Sequence, residues 1–257
     1  MVSMEPVPVY QMNRMPSSSA VDIAKSLRVS EAFNYFQDVA GLHADNLGAG
    51  IDHIKEAYDI AWILMRVRLE IGRPAHLEEP LIVETWPQPP RGSYDRDYLI
   101  KAEKDGELLA RAVSTWILMN LTKHDIERGK VFDYAYDIQK SERALDCRLR
   151  QLKAPGPLAP AGEHPVRYSD VDYNLHVNNT RYIDFIMDAY PLDFHQEYEV
   201  GAIEVNYINE IRPDETLLVS KAAYPDAGGA PKDYVELSSA GDGRTAIKAA
   251  IEFRKRK

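Results

Sequence analysis

The chain has 257 residues and a formal net charge of −9. This acidic balance gives no global positive field, which argues against nonspecific binding to nucleic acid. The single cysteine, Cys147, excludes an intramolecular disulfide. No stretch reaches the roughly 20 apolar residues that cross a bilayer, and no leader of the secretory type is visible. These features predict a cytoplasmic protein without membrane or nucleic-acid partners.

The first half predicts one helix followed by antiparallel strands. Residues 29–47 carry apolar side chains at helical spacing, with Ser30 as the expected cap. Apolar residues such as Met65 and Val67 then alternate with charged ones along 62–71, the pattern of a strand with one buried face. Further strands are predicted at 80–87, 94–103 and 107–121.

A charged stretch rich in proline and glycine follows at 123–163 and predicts a surface linker. Beyond it the first pattern recurs. A helix is predicted at 178–190, capped by Asn178 or Asn179. Strands are predicted after it at 197–211, 215–224, 232–239 and 244–255.

Local sequence supports an internal repeat. Arg73-Pro74 is followed by an apolar run and then by Trp86-Pro87, and Arg212-Pro213 is followed in the same way by Tyr224-Pro225. Two copies of a helix followed by antiparallel strands predict an α+β protein whose two sheets pair edge to edge. The predicted division is a first domain at 1–122, the linker at 123–163, and a second domain at 164–257.

The segment 169–179 concentrates polar side chains ahead of the second predicted helix. In an extended segment Asp172, Asn174 and His176 share one side and converge. A histidine transfers protons near neutral pH, and an asparagine amide can stabilise an oxyanion. The same residue types also cap helices and form turns without any catalytic role. A zinc site with His164 or His195 lacks a firm ligand spacing, so no metal is expected.

A second candidate is Glu210, at the end of the predicted strand 197–211. A carboxylate there can act as a general base on water or attack a carbonyl directly. The alternative is a surface glutamate paired with Arg212.

Together these segments resemble the acyl-acyl carrier protein (acyl-ACP) thioesterases of plants and bacteria. The motif Ser-Asp-x-Asp-x-Asn-x-His-Val-Asn-Asn is present at 169–179, and the family's later Glu-x-x-x-Asp segment is present at 210–214. The segment Trp116–Asn120 is similar to the family's Trp-x-x-Met-Asn strand. One departure is Ile211, where plant members carry a cysteine, so a cysteine nucleophile is not expected at this position.

The resemblance implies a tandem hotdog fold, with each half a long helix packed on a curved antiparallel sheet. It implies hydrolysis of fatty acyl-ACP without a cofactor, releasing the free fatty acid that ends fatty acid synthesis. The family's catalytic residues carry over onto Asp172, Asn174, His176 and Glu210. Amides at the start of the second helix are expected to stabilise the oxyanion.

The substrate is expected to contact Asn178 and Asn179 beside the motif. The first half shows no Asp-x-Asn-x-His segment ahead of its helix, so we expect it to hold the acyl chain. Phe36, Trp62 and Trp116 are candidates to line that tunnel, although each is also a plausible core residue.

Two alternatives remain open from the sequence. One is an acyl-coenzyme A thioesterase on the same fold, and the other is an acyl-binding hotdog protein without catalysis. The sequence does not set the chain length of the acyl group. It leaves the oligomeric state open, including a homodimer. The resemblance, taken without a transit-type leader, favours a bacterial protein.

Overall fold

The computed structural model describes residues 5–127, 140, 142–225 and 229–256. The first half contains β1 (Tyr10–Arg14), α1 (Val29–Asn46), α2 (Ile51–Tyr58), β2 (Ile60–Ile71), β3 (Leu81–Pro87), β4 (Tyr94–Ala102), β5 (Leu108–Asn120) and the short β6 (Ile126–Glu127). The second half contains β7 (Ala159–Pro165), a 3-10 turn (Tyr168–Asp170), α3 (Arg181–Met187), α4 (Leu192–Glu197), β8 (Tyr198–Tyr207), β9 (Thr216–Ala223), β10 (Lys232–Ser239) and β11 (Thr245–Lys255).

The strands form one antiparallel sheet in the order β1-β3-β4-β5-β2-β8-β11-β10-β9-β7, with β6 paired to β5. The two halves of this order mirror each other. They meet where β2 pairs with β8, from Arg66 opposite Asn206 to Glu70 opposite Ala202. The central edge of each half-sheet is thereby covered by the other half, as edge strands require. The predicted tandem hotdog fold is confirmed.

Helices α1 and α3 contact each other on one face of the sheet, and both contribute to a single hydrophobic core that runs across the two halves. Phe33, Phe36 and Val39 of α1 are buried, as are Ile183 and Ile186 of α3. Burying a side chain of this size stabilises a fold by roughly 1.5–3 kcal/mol. The apolar faces of the two helices therefore attach both halves to one core.

Most predicted strands lie within a few residues of their observed bounds, but several local features differ. Helix α1 begins after Arg28, and Ser30 is buried in its first turn instead of capping it. A β-bulge between Leu64 and Arg66 shifts the alternation of β2, so Leu64 is buried where Met65 was expected. Strand β8 ends at Tyr207, several residues before the predicted end.

The predicted linker begins with β6 and ends inside β7, while residues 128–139 and 141 lie outside the described residues. Residues 142–158 cross the face of the sheet opposite α1 and α3. The Ala144 amide donates to Asp97 Oδ1 over 2.7 Å, and the Leu152 amide donates to Asn206 Oδ1 over 2.8 Å. This segment is thus bound to β4 of the first half and to β8 of the second.

Candidate active site

The segment 171–177 forms a tight loop, not the extended segment that we predicted. The Asp172 amide donates to the His176 carbonyl over 2.9 Å, and Val171 bridges to Val177. Asp172 Oδ1 accepts the amide of Asn174 over 2.8 Å, which closes a turn that an aspartate favours. Asp172 and His176 therefore lie side by side at the neck of the loop, with Asn174 at its tip.

Asp170 anchors this loop, a role that the sequence analysis missed. It is 1% exposed and accepts hydrogen bonds from the amide of Arg167, from His164 Nε2 and from Arg181 Nε. Its carbonyl also accepts the amide of Asn178. Burial acts to raise the pKa of Asp170, but the hydrogen bonds and the charge of His164 outweigh it and lower the pKa. His164 Nε2 is thus occupied by its hydrogen bond to Asp170.

The polar groups of the turn 178–180 form hydrogen bonds within the protein. Asn178 Oδ1 accepts both the amide and the hydroxyl of Thr180 at 2.9 Å, and the Asn178 carbonyl accepts the amide of Arg181. The Asn179 carbonyl accepts the Tyr207 hydroxyl over 3.0 Å. Helix α3 begins three residues later than predicted, and the amides of Thr180 and Arg181 are already bound. These two amides are therefore not available for the oxyanion that amides at the start of the helix were expected to stabilise.

Glu210 lies in the loop between β8 and β9 and reaches the motif. The Val177 amide donates to the Ile211 carbonyl over 2.9 Å, which joins the two loops. His176 Nδ1 lies 3.4 Å from Glu210 Oε2. The side chains of His176 and Glu210 are 31% and 63% exposed, so both are accessible to substrate. Two segments far apart in sequence therefore meet at one solvent-facing site.

Asn174 completes the group of predicted polar residues. Its side chain is exposed, and among the described residues the side-chain amide of Asn174 has no hydrogen-bond partner. An amide in this position is free to donate to a substrate carbonyl. The structure thus brings Asp172, Asn174, His176 and Glu210 into neighbouring loops.

Glu215 holds the Glu210 loop to the sheet. Its carboxylate accepts the Arg212 amide, the Ser239 hydroxyl and the guanidinium of Arg244. Burial acts to raise the pKa of Glu215, but these donors lower it overall. The sequence analysis did not single out this residue, because an isolated glutamate carries no recognisable pattern.

The first half repeats the backbone of this site without its chemistry. The Asp22 amide donates to the Ser26 carbonyl, and the Asp22 carboxylate accepts the Ala24 amide, as in the motif loop. The Leu27 amide donates to the Ala75 carbonyl, which matches the bond from Val177 to Ile211. Ala24 and Ser26 thus replace the asparagine and histidine.

In this correspondence Pro74 takes the place of Glu210. The four-residue combination is therefore present in one half only, although the loop that carries it occurs in both. Because Asp22 performs the same turn in a loop without the histidine, the shared aspartate stabilises the loop.

Two of the three predicted tunnel residues line a cavity beneath α1. Phe36 and Trp116 line it together with Tyr98 and Ser114, and its volume is about 10 Å³, close to that of one water molecule. Trp62 packs instead on Tyr94 in a separate small cluster beside α2. An acyl chain can enter this cavity only if the side chains of α1 move apart.

Within the described ranges, no group of three or more histidine, cysteine, aspartate or glutamate side chains could hold a metal ion. Over the same ranges, no helix has the length and apolar character needed to span a membrane. Cys147 is a free thiol, and burial raises its pKa. A raised pKa makes a thiol a poorer nucleophile at neutral pH.

Comparison with known structures places the fold. An acyl-ACP thioesterase from Bacteroides thetaiotaomicron superposes with a TM-score of 0.85 and 23% identity, covering 96% of this chain and 98% of that one. A 12:0-ACP thioesterase from Umbellularia californica superposes with a TM-score of 0.83 and 20% identity, covering 97% of this chain and 95% of that one. At these identities the likeness establishes the architecture.

Curated relatives include chloroplast enzymes. A palmitoyl-acyl carrier protein thioesterase of Cuphea hookeriana is 25% identical over 260 residues, covering 96% of this chain and 62% of the relative. An oleoyl-acyl carrier protein thioesterase of Arabidopsis thaliana is 25% identical over 229 residues, covering 80% of this chain and 60% of the relative. The chain therefore spans less than two thirds of the length of these relatives.

Family models match both halves of the chain. The acyl-ACP thioesterase N-terminal domain matches residues 8–138, and the acyl-ACP thioesterase C-terminal domain matches residues 160–255. These matches confirm the resemblance carried by the motif at 169–179 and by the segment at 210–214. The chain belongs to the acyl-ACP thioesterase family.

Proposed function

We propose that the protein hydrolyses fatty acyl-ACP thioesters and releases the free fatty acid, which ends fatty acid synthesis. The observation that carries this proposal is the 3.4 Å approach of Glu210 Oε2 to His176 Nδ1, beside the exposed amide of Asn174. It unites a base, a proton-transfer group and an oxyanion donor at a single accessible site. Membership of the family supports the choice of a thioester as the substrate.

In the proposed reaction Glu210 takes a proton from water while the water oxygen bonds to the thioester carbon. Asn174 donates to the carbonyl oxygen as it becomes an oxyanion, a contribution of about 3–4 kcal/mol in comparable sites. The tetrahedral intermediate then collapses, the carbon–sulfur bond breaks, and the proton passes to the sulfur. His176 assists the proton transfers to and from Glu210, and Asp172 maintains the loop that presents His176 and Asn174.

The sequence analysis also allowed Glu210 to attack the thioester carbonyl directly and form an anhydride. In that route the oxygen of the attacking water can end in Glu210 as well as in the fatty acid. In a single turnover in ¹⁸O-labelled water, the general-base route places the label in the fatty acid alone. Label recovered in the Glu210 carboxylate requires the anhydride. Label in the fatty acid alone is also the outcome when water attacks the acyl carbon of the anhydride, so trapping of an acyl-Glu210 intermediate with hydroxylamine is the second measurement. Trapped hydroxamate on Glu210 shows the anhydride, and its absence together with label in the fatty acid alone supports the general base.

Replacing Glu210 tests the function itself. Glu210→Gln keeps the shape of the side chain and removes the base, so kcat should fall by about 10²–10⁴-fold. The assay is release of free fatty acid from a series of acyl-ACP substrates, with thermal unfolding as the check on folding. A variant that keeps the wild-type kcat would disprove the assigned site.

The proposal also covers the group that carries the acyl chain and the cellular compartment in which the protein acts. Acyl-ACP and acyl-coenzyme A substrates of equal chain length, compared by kcat/KM, decide between the two thioester classes. Binding of acyl groups without turnover of either would favour the non-catalytic alternative. We further propose that the protein acts in the bacterial cytoplasm, a reducing compartment that suits its single unpaired cysteine. Cell fractionation of a native source tests this location.

A further inference from the structure

Tyr182 in α3 carries a buried hydroxyl that the proposed chemistry has not used. The residue is 3% exposed, and among the described residues its hydroxyl makes no hydrogen bond of good geometry. The Ile211 amide faces the hydroxyl oxygen, but no acceptor within the described ranges faces the hydroxyl proton. Leaving a buried hydroxyl without a partner is costly, and a phenylalanine would fill the same space without that cost. A tyrosine at this position is therefore explained best if its hydroxyl gains a partner during function.

The surroundings of this hydroxyl identify the partner. Burial raises the pKa of Tyr182, and the negative charges of Glu210 and Glu215 raise it further, while the Ile211 amide and Arg244 act to lower it. Ile211, whose amide faces the hydroxyl, follows Glu210 in the chain, so the hydroxyl lies beneath the loop that carries Glu210. Glu215 is already bound by its three donors. Glu210, by contrast, is 63% exposed, and among the described residues its carboxylate has one polar side-chain contact, with His176.

The internal repeat provides an independent observation. Residues buried along the start of α1, such as Ala32, Phe33 and Phe36, recur 150 positions later as Tyr182, Ile183 and Ile186. The position of Tyr182 is therefore occupied by alanine in the first half. That is also the half in which Pro74 replaces Glu210. The buried tyrosine and the catalytic carboxylate are both present in one half and both missing from the other.

We propose that Tyr182 is a positioning residue for Glu210, and that its hydroxyl donates to the Glu210 carboxylate when that side chain turns inward over a bound thioester. The proposal rests on the proposed function. In the free protein the carboxylate faces solvent, where water competes for its oxygens. A donor fixed in the core beneath it selects the rotamer that aims the carboxylate at the attacking water.

The variant Tyr182→Phe tests this role. We expect kcat for acyl-ACP to fall about tenfold, the effect of one hydrogen bond of ordinary strength, with KM unchanged. The melting temperature should stay at or above the wild-type value, because the variant removes an unpaired hydroxyl and not a hydrogen bond. In a Glu210→Gln background the same change should have no further effect on kcat, because Tyr182 acts through Glu210.

Tyr190→Phe is the matched control, in the turn that follows the same helix. Tyr190 is also buried, but its hydroxyl donates to Asp233 Oδ2 over 2.9 Å. This control should lower the melting temperature and leave kcat unchanged, the reverse of the pattern expected for Tyr182→Phe. If kcat falls only in Tyr182→Phe and the melting temperature falls only in Tyr190→Phe, Tyr182 has a positioning role and not a packing role.

Wild-type kcat in Tyr182→Phe, or an equal loss of kcat in the Glu210→Gln background, would overturn the positioning role while the proposed function stands. A parallel loss of kcat and melting temperature in Tyr182→Phe would also overturn it, in favour of a structural role. A wild-type chain that hydrolyses no acyl thioester would overturn the proposed function, and this inference with it.

Discussion

Acidification should destabilise the fold through one buried histidine, His43 of α1. Its side chain is fully buried, with Nε2 lying 2.8 Å from the Val7 carbonyl and Nδ1 lying 3.0 Å from the Arg96 guanidinium. Because Arg96 can only donate, Nδ1 accepts and Nε2 carries the proton. The fold therefore holds the neutral form of His43.

The size of the effect follows from the pKa. Burial, with a further contribution from Arg96, lowers the pKa of His43 from 6.5 to about 4, against the opposing effect of the Val7 carbonyl. A difference of about 2.5 pH units at about 1.36 kcal/mol each corresponds to about 3.4 kcal/mol. The unfolded chain binds the proton more readily, so this stability is present above pH 6.5 and is lost as the pH falls towards 4.

Urea unfolding between pH 7 and pH 4 measures this loss. Carboxylates such as Asp170 and Glu215 also lose stabilising contacts in acid, so the comparison must be with a matched variant. His43→Gln cannot take up the proton, and its free energy of unfolding should fall less than the wild-type value by about 3 kcal/mol over this range. His53→Gln, at an exposed histidine of α2, should follow the wild type. Equal pH dependence in His43→Gln and the wild type would refute the reasoning.

Two further predictions concern the site and the acyl cavity. Glu79 holds the first-half loop as Glu215 holds the second, each accepting a backbone amide three residues earlier and an arginine. Glu215→Gln should lower kcat/KM roughly tenfold, because it loosens the Glu210 loop. The control Glu79→Gln should change kcat/KM by less than about twofold. Equal losses of kcat/KM in the two variants would show that the Glu215 contact has no special link to catalysis. Phe36→Leu should enlarge the cavity beneath α1 and shift the released fatty acids towards longer chains, as measured by chromatography of products from mixed acyl-ACP. An unchanged product profile would place the acyl chain elsewhere.

The sequence predicted the architecture because burial patterns are periodic. The alternation in β2 and in the second-half strands identifies one buried face each, and the recurrence of a helix followed by antiparallel strands indicates two copies of one unit. The Arg-Pro pairs at 73–74 and 212–213 are not equivalent in the structure, because Pro74 corresponds to Glu210 and His76 to Arg212. The edge strands β1 and β7 were missed, because a five-residue strand and a strand with proline at its second and last positions carry little alternation. The bulge after Leu64 was also missed, since it depends on pairing with β5.

The candidate site was predicted in its residues but not in its shape. Asp172, Asn174, His176 and Glu210 were selected because their segments resemble the motifs of the family and because their side chains suit the chemistry. The fold of their loop is decided by side-chain hydrogen bonds to the backbone, which a pattern of alternate residues does not reveal. Asp170 and Tyr182 were overlooked because the first reads as an ordinary turn residue and the second as a core residue. The hydrogen bonds of Asp170 and the unpaired hydroxyl of Tyr182 become visible only in three dimensions.

The two half-sheets that pair through β2 and β8 belong to a single polypeptide, and this has a genetic consequence. In a dimer of identical subunits, every substitution would occur twice, once on each side of the symmetry axis. A gene encoding both copies in tandem is free of that constraint, so one copy can lose its reactive side chains and specialise in holding substrate while the other keeps them.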